Sequence, residues 1–225
     1  VTLLVEWVPV LSWSYHTRKH AGEILADRFE EVDFQNNPIV IAIPNGGIAV
    51  GHPIAERLQA EISIIIVRKL QIPYNPEAGF GAVTSYNTVI LNDALVNHLQ
   101  LSEEQIDDVV VKTRNQISRR REAYAGLLKE FKLRGRDVII VDDGLASGFT
   151  MLAAVESIRQ LEPATITVAV PTASASSVER VTLAVDKLLC PRIESGFVFA
   201  VANAYENWYD VSDEEVIELL KSINK

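Results

Sequence analysis

One cysteine, Cys190, occurs in 225 residues. An intrachain disulfide is therefore excluded, and the composition fits a reducing compartment, so a cytoplasmic location is expected. Cys190 follows Leu188 and Leu189 and reads as a small buried hydrophobe rather than a nucleophile. Cationic residues are also scarce: 21 Lys and Arg stand against 30 Asp and Glu, for a net charge of −9. That balance argues against a general binder of nucleic acid or of a membrane surface. A polyanionic ligand would have to be met locally, by backbone amides, a few basic side chains or a metal. No apolar run approaches the length of a membrane span. Residues 1–13, VTLLVEWVPVLSW, are apolar but contain Glu6 and Pro9 and lack a basic lead-in or a small-residue cleavage site, so a signal peptide is not expected. Internal repeats and low-complexity tracts are missing too. At 48% hydrophobic and 23% charged, the chain has the composition of a soluble globular protein of one domain, or one domain with an attached lobe.

The most informative stretch is VIIVDDGLASGFT, residues 138–150. Four apolar residues, Val138 to Val141, predict a buried strand, too short for an independent helix. Two carboxylates follow, Asp142 and Asp143, then a run of mostly small residues, then a helical pattern with Leu152, Val155, Ile158 and Leu161 on one face. A tight turn into a helix N-terminus points free N–H groups and the positive end of the helix dipole at one place, which suits a phosphate. Two acids beside an anion site conflict unless they bond sugar hydroxyls or hold Mg²⁺ that neutralises the phosphate. A phosphorylated sugar satisfies both halves.

Elsewhere the spacing predicts a helix over 17–32, a strand over 38–43, a turn at Pro44-Asn45-Gly46-Gly47, a helix over 48–58 and a strand over 62–67. Together these make a right-handed βαβ unit. Arg68-Lys69 is expected to close the second strand, 71–82 to be a loop, and 83–91 one or two strands turning at Ser85-Tyr86-Asn87. A long helix is predicted over 102–131, opened by a Ser102/Gln105 capping box. Its Arg119-Arg120-Arg121 run could serve a phosphate or RNA, but a solvated helix face complementing the dipole is the favoured reading. A strand at 165–170, a helix at 176–184, a strand at 186–190, an aromatic loop-like segment over 195–207 and a last helix over 212–223 complete the chain. That last helix opens with a second capping box, Ser212 to Glu215. Residues 1–13 predict one or two short strands. Alternating strands and helices imply an open parallel sheet, with ligands beyond the carboxyl ends of the strands. Asn45-Gly46-Gly47, Arg68-Lys69 and Asp142 to Thr150 all fall at that edge.

The 138–150 stretch resembles the phosphoribosyl-pyrophosphate (PRPP) signature of the type I phosphoribosyltransferases, with Gly144 where that family more often carries an aliphatic residue. The chain is also similar, over about 15–220, to a family described only as predicted phosphoribosyltransferases. It shares Arg68-Lys69-Leu70, Asn75-Pro76-Glu77, Gly81-Ala82-Val83, Val141 to Ala146 and Val211 to Glu215, and has Pro44-Asn45-Gly46-Gly47 where that family has Pro-Arg-Gly-Gly. The resemblance implies an α/β fold: an open, mostly parallel sheet with helices on both faces, a core of about 36–190, a small hood from 191–210 and 1–16, and a long inserted helix.

It further implies transfer of a 5-phosphoribosyl group from PRPP to a nucleobase or other small nucleophile. Asp142, Asp143 and Lys69 would be catalytic. Ala146, Ser147, Gly148, Phe149 and Thr150 would hold the 5-phosphate, and Asn45, Gly46, Gly47, Arg68 and Lys69 the pyrophosphate. Mg²⁺ would be bound through PRPP, with Asp142 and Asp143 as candidate ligands. Phe199 or Tyr205 would cover the base, and Asn75 and Glu77 would sit in a lid over 71–82. Ala146 replaces an aspartate, and no lysine lies near Pro171-Thr172-Ala173, so hypoxanthine and guanine are not expected substrates. A homodimer is expected, with no nucleic-acid or membrane partner. A non-catalytic PRPP- or nucleotide-binding regulator with the same fold is the alternative. A phospho-receiver domain is disfavoured, because its acidic pair would follow the first strand and a phospho-acceptor Asp a later one.

Overall fold

The computed structural model describes residues 14–29, 32, 34–128, 131–196 and 199–223, without the side chains of Pro76 and Glu77. The strands expected over 1–13 lie outside these residues. The first half contains α1 (Arg18–Arg28), β1 (Ile39–Ala42), α2 (Gly46–Leu58), β2 (Glu61–Ile64), β3 (Val67–Ile72), β4 (Asn75–Thr84), β5 (Val89–Leu91), α3 (Asp93–Leu99) and α4 (Glu103–Ala123). The second half contains β6 (Asp137–Val141), α5 (Phe149–Arg159), β7 (Thr165–Ala169), β8 (Thr172–Ser174), α6 (Ala175–Thr182), β9 (Lys187–Leu189), β10 (Arg192–Glu194), a 3-10 turn (Val201–Ala204) and α7 (Asp213–Ile223).

The protein has an α/β fold whose main sheet is five-stranded and parallel, in the order β2-β1-β6-β7-β9. Its central strands read as continuous apolar runs because both faces are covered. Ile39 and Ile41, Val138 and Ile140, and Ile166 and Val168 share one cluster with Met151, Val155 and Ile158 of α5 and Val181 of α6. The alternate residues Val40, Ile139, Val141 and Ala169 pack with Leu25 of α1 and Val50 and Ile54 of α2. Helices therefore lie on both faces, as the resemblance implied. From β1 the chain crosses through α2 to β2 on one side, and from β6 through α5 to β7 on the other. The neighbours β1 and β6 thus form the topological switch point, where crossovers diverge and leave a crevice at their carboxyl ends.

Two expectations fail between 62 and 91. The continuous strand over 62–67 is two strands: Ile65 still donates to the Ala42 carbonyl at 3.0 Å, whereas the Ile66 carbonyl accepts from Ser85 at 2.8 Å. The chain leaves the parallel sheet there and enters an antiparallel one, β3-β4-β5. Both environments bury an isoleucine, so hydropathy carries no sign of the change. Arg68-Lys69 consequently opens β3 instead of closing the preceding strand. The expected loop over 71–82 is mostly strand as well. Its glycines mark close approach of strands: a Cβ on Gly81 would stand 2.3 Å from the Ile90 carbonyl oxygen, and one on Gly79 would stand 2.1 Å from Cγ of Lys69. A register shift after Leu70 marks irregular pairing in the same place.

The small sheet packs against α4 and α7: Leu70, Phe80 and Val83 share a cluster with Val110, Ile117 and Tyr124 and with Val216 and Leu220. Both capping boxes form; Ser102 and Gln105 exchange bonds of 3.0 and 3.2 Å, and Ser212 and Glu215 of 2.9 and 3.2 Å. Helix α4 stops at Ala123, eight residues short of the expected end, and α1 stops at Arg28, four residues short. The short helix α3 and the two-stranded parallel sheet β8-β10 were not anticipated. Among the described residues no helix is long and apolar enough to cross a membrane.

Candidate active site

Strand β6 delivers Asp142 and Asp143 to the switch point, beside the turn that leaves β1. There the Pro44–Asn45 peptide is cis, and α2 begins at once with Gly46 and Gly47. The paired glycines are required by packing as much as by a ligand. A Cβ on Gly46 would lie 1.9 Å from Oδ2 of Asp143, and one on Gly47 would lie 2.7 Å from the Val141 carbonyl oxygen. Asn45 directs its amide towards the start of the last helix, donating to the Val211 carbonyl at 2.6 Å and to Oδ1 of Asp213 at 3.2 Å.

After the acids, the turn is held by its carbonyls. The Leu145 oxygen accepts from the Ser174 amide and the Ser177 hydroxyl, both at 3.0 Å. The Ala146 oxygen accepts from the Ser174 hydroxyl at 2.8 Å, and the Ser147 oxygen from Arg180. Gly148, at φ 81°, turns the chain into α5, a conformation that favours glycine. The amides of residues 146–150 have no protein acceptor among the described residues. Residues 144–150 line a cleft of about 300 Å³ together with Lys69, Asp142 and Val201. A second cleft, of about 490 Å³, is lined by Asn45, Gly46, Arg18, Arg68, Lys69, Arg120, Asp143 and Trp208. The two share Lys69, Asp142, Thr150 and Val201, so they adjoin around the first acid.

Burial pushes the Asp142 carboxyl well above the usual carboxylate range, and the neighbouring Asp143 charge adds to this. Asp143 is raised for the same first reason, against the opposing pull of Arg18. The Arg18 Nε donates to Asp143 Oδ2 at 2.8 Å, Nη1 donates to the Tyr209 carbonyl at 2.9 Å, and the guanidinium stands 4.0 Å from the Trp208 ring centroid. With only 7% of Arg18 exposed, this is a largely desolvated ion pair at the floor of the larger cleft. Two acids that resist joint ionisation, beside unsatisfied amides and several cations, are suited to gripping hydroxyls and phosphates of one ligand.

Residues 14–205 match the phosphoribosyl transferase domain family. The chain belongs to that family. It is 33% identical over 206 residues to a protein of Mycobacterium tuberculosis named "Putative phosphoribosyl transferase Rv0571c", covering 92% of this chain and 46% of that one. It thus spans about half the length of that relative. The crystal structure of TT1426 from Thermus thermophilus superposes with a TM-score of 0.77 at 31% identity, over 93% of this chain and 98% of that one. The structure of AQ2163 from Aquifex aeolicus, at 12% identity and a TM-score of 0.52 over 79% of this chain and 74% of that one, shares the fold.

Around these two clefts the structure brings together the residues expected for the sugar and the 5-phosphate and, of those expected for the pyrophosphate, all but Gly47, which lines neither cleft and packs against Val141 and Asp142. The aromatic segment departs from expectation. Tyr205 is 6% exposed, with its ring 5.7 Å from that of Tyr15 and 5.5 Å from that of Trp208. Its hydroxyl donates to the Asp143 carbonyl at 2.6 Å, so it braces the acid pair from behind. Phe199 is half-buried and lines neither cleft. Trp208, one residue beyond that segment and 37% exposed, lines the larger cleft. Asn75 lies at the start of β4, while the Glu77 side chain lies outside the described residues. Sequence reasoning missed Arg18, because nothing in a helix N-terminus 125 residues upstream of Asp143 points to that acid. It also missed Val201, whose methyls would lie 2.6 and 2.8 Å from a Cβ on Gly144. That crowding accounts for a glycine where the resembled family more often has an aliphatic side chain. Cys190 is buried, its thiol pushed up to about 12 by burial, which suits a packing role.

Proposed function

We propose that this chain catalyses transfer of a 5-phosphoribosyl group from PRPP to a nucleobase or another small nucleophile, with release of pyrophosphate. The observation that carries the reading is the pair of adjoining clefts meeting at Asp142 and Lys69, one lined by unbonded amides and the other by cations. A ribose with a phosphate at C5 and a pyrophosphate at C1 presents two anions on either side of two hydroxyls, which is the order of groups along these clefts.

In this reading the acceptor forms a bond to C1 as the C1–O bond to pyrophosphate breaks. Positive charge grows on the ring and negative charge on the leaving group. The acid pair orients the ribose hydroxyls and favours the cationic ring, while Lys69, Arg68 and the start of α2 receive the pyrophosphate. Tyr205 and Arg18 act as positioning residues, holding Asp143 by its carbonyl and its carboxylate respectively. Among the described residues no three His, Cys, Asp or Glu side chains gather to cage a metal. Mg²⁺ usually takes one or two carboxylates and completes its shell with water and substrate oxygens. Asp142 and Asp143 fit an ion that arrives with PRPP; when bound, it would offset charge on the leaving pyrophosphate.

Ala146 is exposed and cannot take a proton from a 6-oxopurine, so the acceptor is expected to be something other than hypoxanthine or guanine. A homodimer in a reducing, cytoplasmic setting belongs to the same proposal. The test is pyrophosphate release from PRPP and Mg²⁺ across a panel of bases and amines. Release with at least one acceptor, lost by orders of magnitude in Asp143→Asn, is expected. Tight PRPP binding with no release from any acceptor would instead favour a regulator.

A further inference from the structure

In the run Arg119-Arg120-Arg121, the solvated-face reading holds for the two outer residues, which are more open to solvent. It fails for the middle one. The Arg120 side chain is 12% exposed and lines the larger cleft beside Arg68, Lys69 and Asn45. Arg68 Nε is buried and has no hydrogen-bond partner among the described residues. Burial lowers the pKa of Arg68, and the nearby Arg120 charge lowers it further, so two guanidinium groups oppose each other in one crevice. The carboxylate that compensates them is Asp213, at the first turn of α7. It accepts from Arg120 Nη2 at 2.6 Å and Nε at 3.3 Å, from the Tyr124 hydroxyl at 2.9 Å and from Asn45 at 3.2 Å. Burial alone would raise the Asp213 carboxyl, but these donors outweigh it and hold the carboxyl below its usual range.

We propose that Arg120 and Arg68 form the pyrophosphate clamp of this protein, standing in for the cation absent at position 45, with Asp213 an internal anion that holds Arg120 until pyrophosphate takes its place. The inference rests on the phosphoribosyl-transfer reading of the same site. Its physical basis is a matter of geometry and exchange. A guanidinium offers paired N–H donors that fit a phosphate as well as a carboxylate. The Asp213 side chain is 40% exposed, so on losing Arg120 it regains water while keeping Tyr124 and Asn45. The two arginines, by contrast, have little water to fall back on, and a multivalent anion between them would relieve their repulsion.

Calorimetric titration of the full chain with Mg²⁺-pyrophosphate and, separately, with ribose 5-phosphate tests this. Arg120→Gln is expected to weaken pyrophosphate about tenfold to a hundredfold, the range for a lost hydrogen bond to a charged group, and to leave ribose 5-phosphate unchanged. Arg120→Lys should recover part of the loss. Asp213→Asn keeps the oxygen shared by Tyr124, Asn45 and Arg120 Nη2 but removes the charge and turns an amide towards Arg120 Nε, and should tighten pyrophosphate. Opposite signs from the two positions are the signature; a purely structural contact would weaken both ligands in both variants and overturn the proposal. Equal pyrophosphate affinity in wild type and Arg120→Gln would overturn it too. If wild type bound pyrophosphate but not ribose 5-phosphate, the phosphoribosyl reading would fall while the loss in Arg120→Gln still upheld the clamp.

Discussion

At the scale of single residues, the acid pair stores a conflict that can be measured. A carboxyl whose folded pKa lies above its unfolded value binds its proton more tightly in the folded state. Its contribution to stability is therefore most favourable at low pH and declines as pH rises past about 4, the unfolded aspartate value. Asp142, raised by burial and by Asp143, should impose such a decline on the ligand-free protein. Asp142→Asn removes the group. Its stability relative to wild type should climb between pH 4 and pH 7, by about 1.4 kcal/mol for each pKa unit of the native shift, read as denaturation midpoints across that range. A constant difference would mean that Asp142 ionises normally. Gly144 offers a second test. Gly144→Ala places a methyl against Val201 and should cost about 1–3 kcal/mol of stability, as overpacking does. Adding Val201→Ala should restore most of it, and the coupling in that double-mutant cycle measures the contact.

At the scale of elements, what could be read in advance depended on whether a segment's own chemistry decided its fate. Strands β1, β6 and β7 are covered on both faces, so apolar runs identified them. The capping boxes of α4 and α7 were legible because side chain and backbone satisfy each other within four residues. The β3–β4 hairpin was not: its prolines and glycines read as loop, while the glycines serve the spacing between strands. Tyr205 was misplaced for a related reason, since a ring under Asp143 and a ring over a ligand look alike in sequence. The hairpin yields its own prediction. Gly79 lies under the aliphatic stem of Lys69, so Gly79→Ala should push that side chain off the point where the two clefts meet. KM for PRPP is expected to rise about tenfold, the scale of one charge-assisted contact, with a far smaller effect on the melting midpoint. A fall in midpoint with KM unchanged would assign Gly79 to sheet packing alone.

At the scale of the whole molecule, a protein of net charge −9 that is to hold two anions must concentrate its cations, and it draws them from distant parts of the chain. Arg18 comes from α1, Arg68 and Lys69 from the antiparallel sheet, and Arg120 from α4. Helix α7, beyond the 14–205 span of the family match, ties this arrangement together. Val216 and Leu220 fill the cluster between α4 and the antiparallel sheet, and Asp213 bonds Arg120, Tyr124 and Asn45. A chain ending at residue 210 would lose both. Losing the burial that these two apolar side chains contribute should cost about 3–6 kcal/mol, and Asn45 would lose both acceptors of its amide. The truncated chain is therefore expected to melt at a lower temperature, while ribose 5-phosphate, proposed to bind at the far cleft, is expected to stabilise the truncated and the full chain alike against heat. Retention of the full melting midpoint after truncation would show that α7 is an appendage, and that the cation cluster is organised by α4 and the small sheet without it.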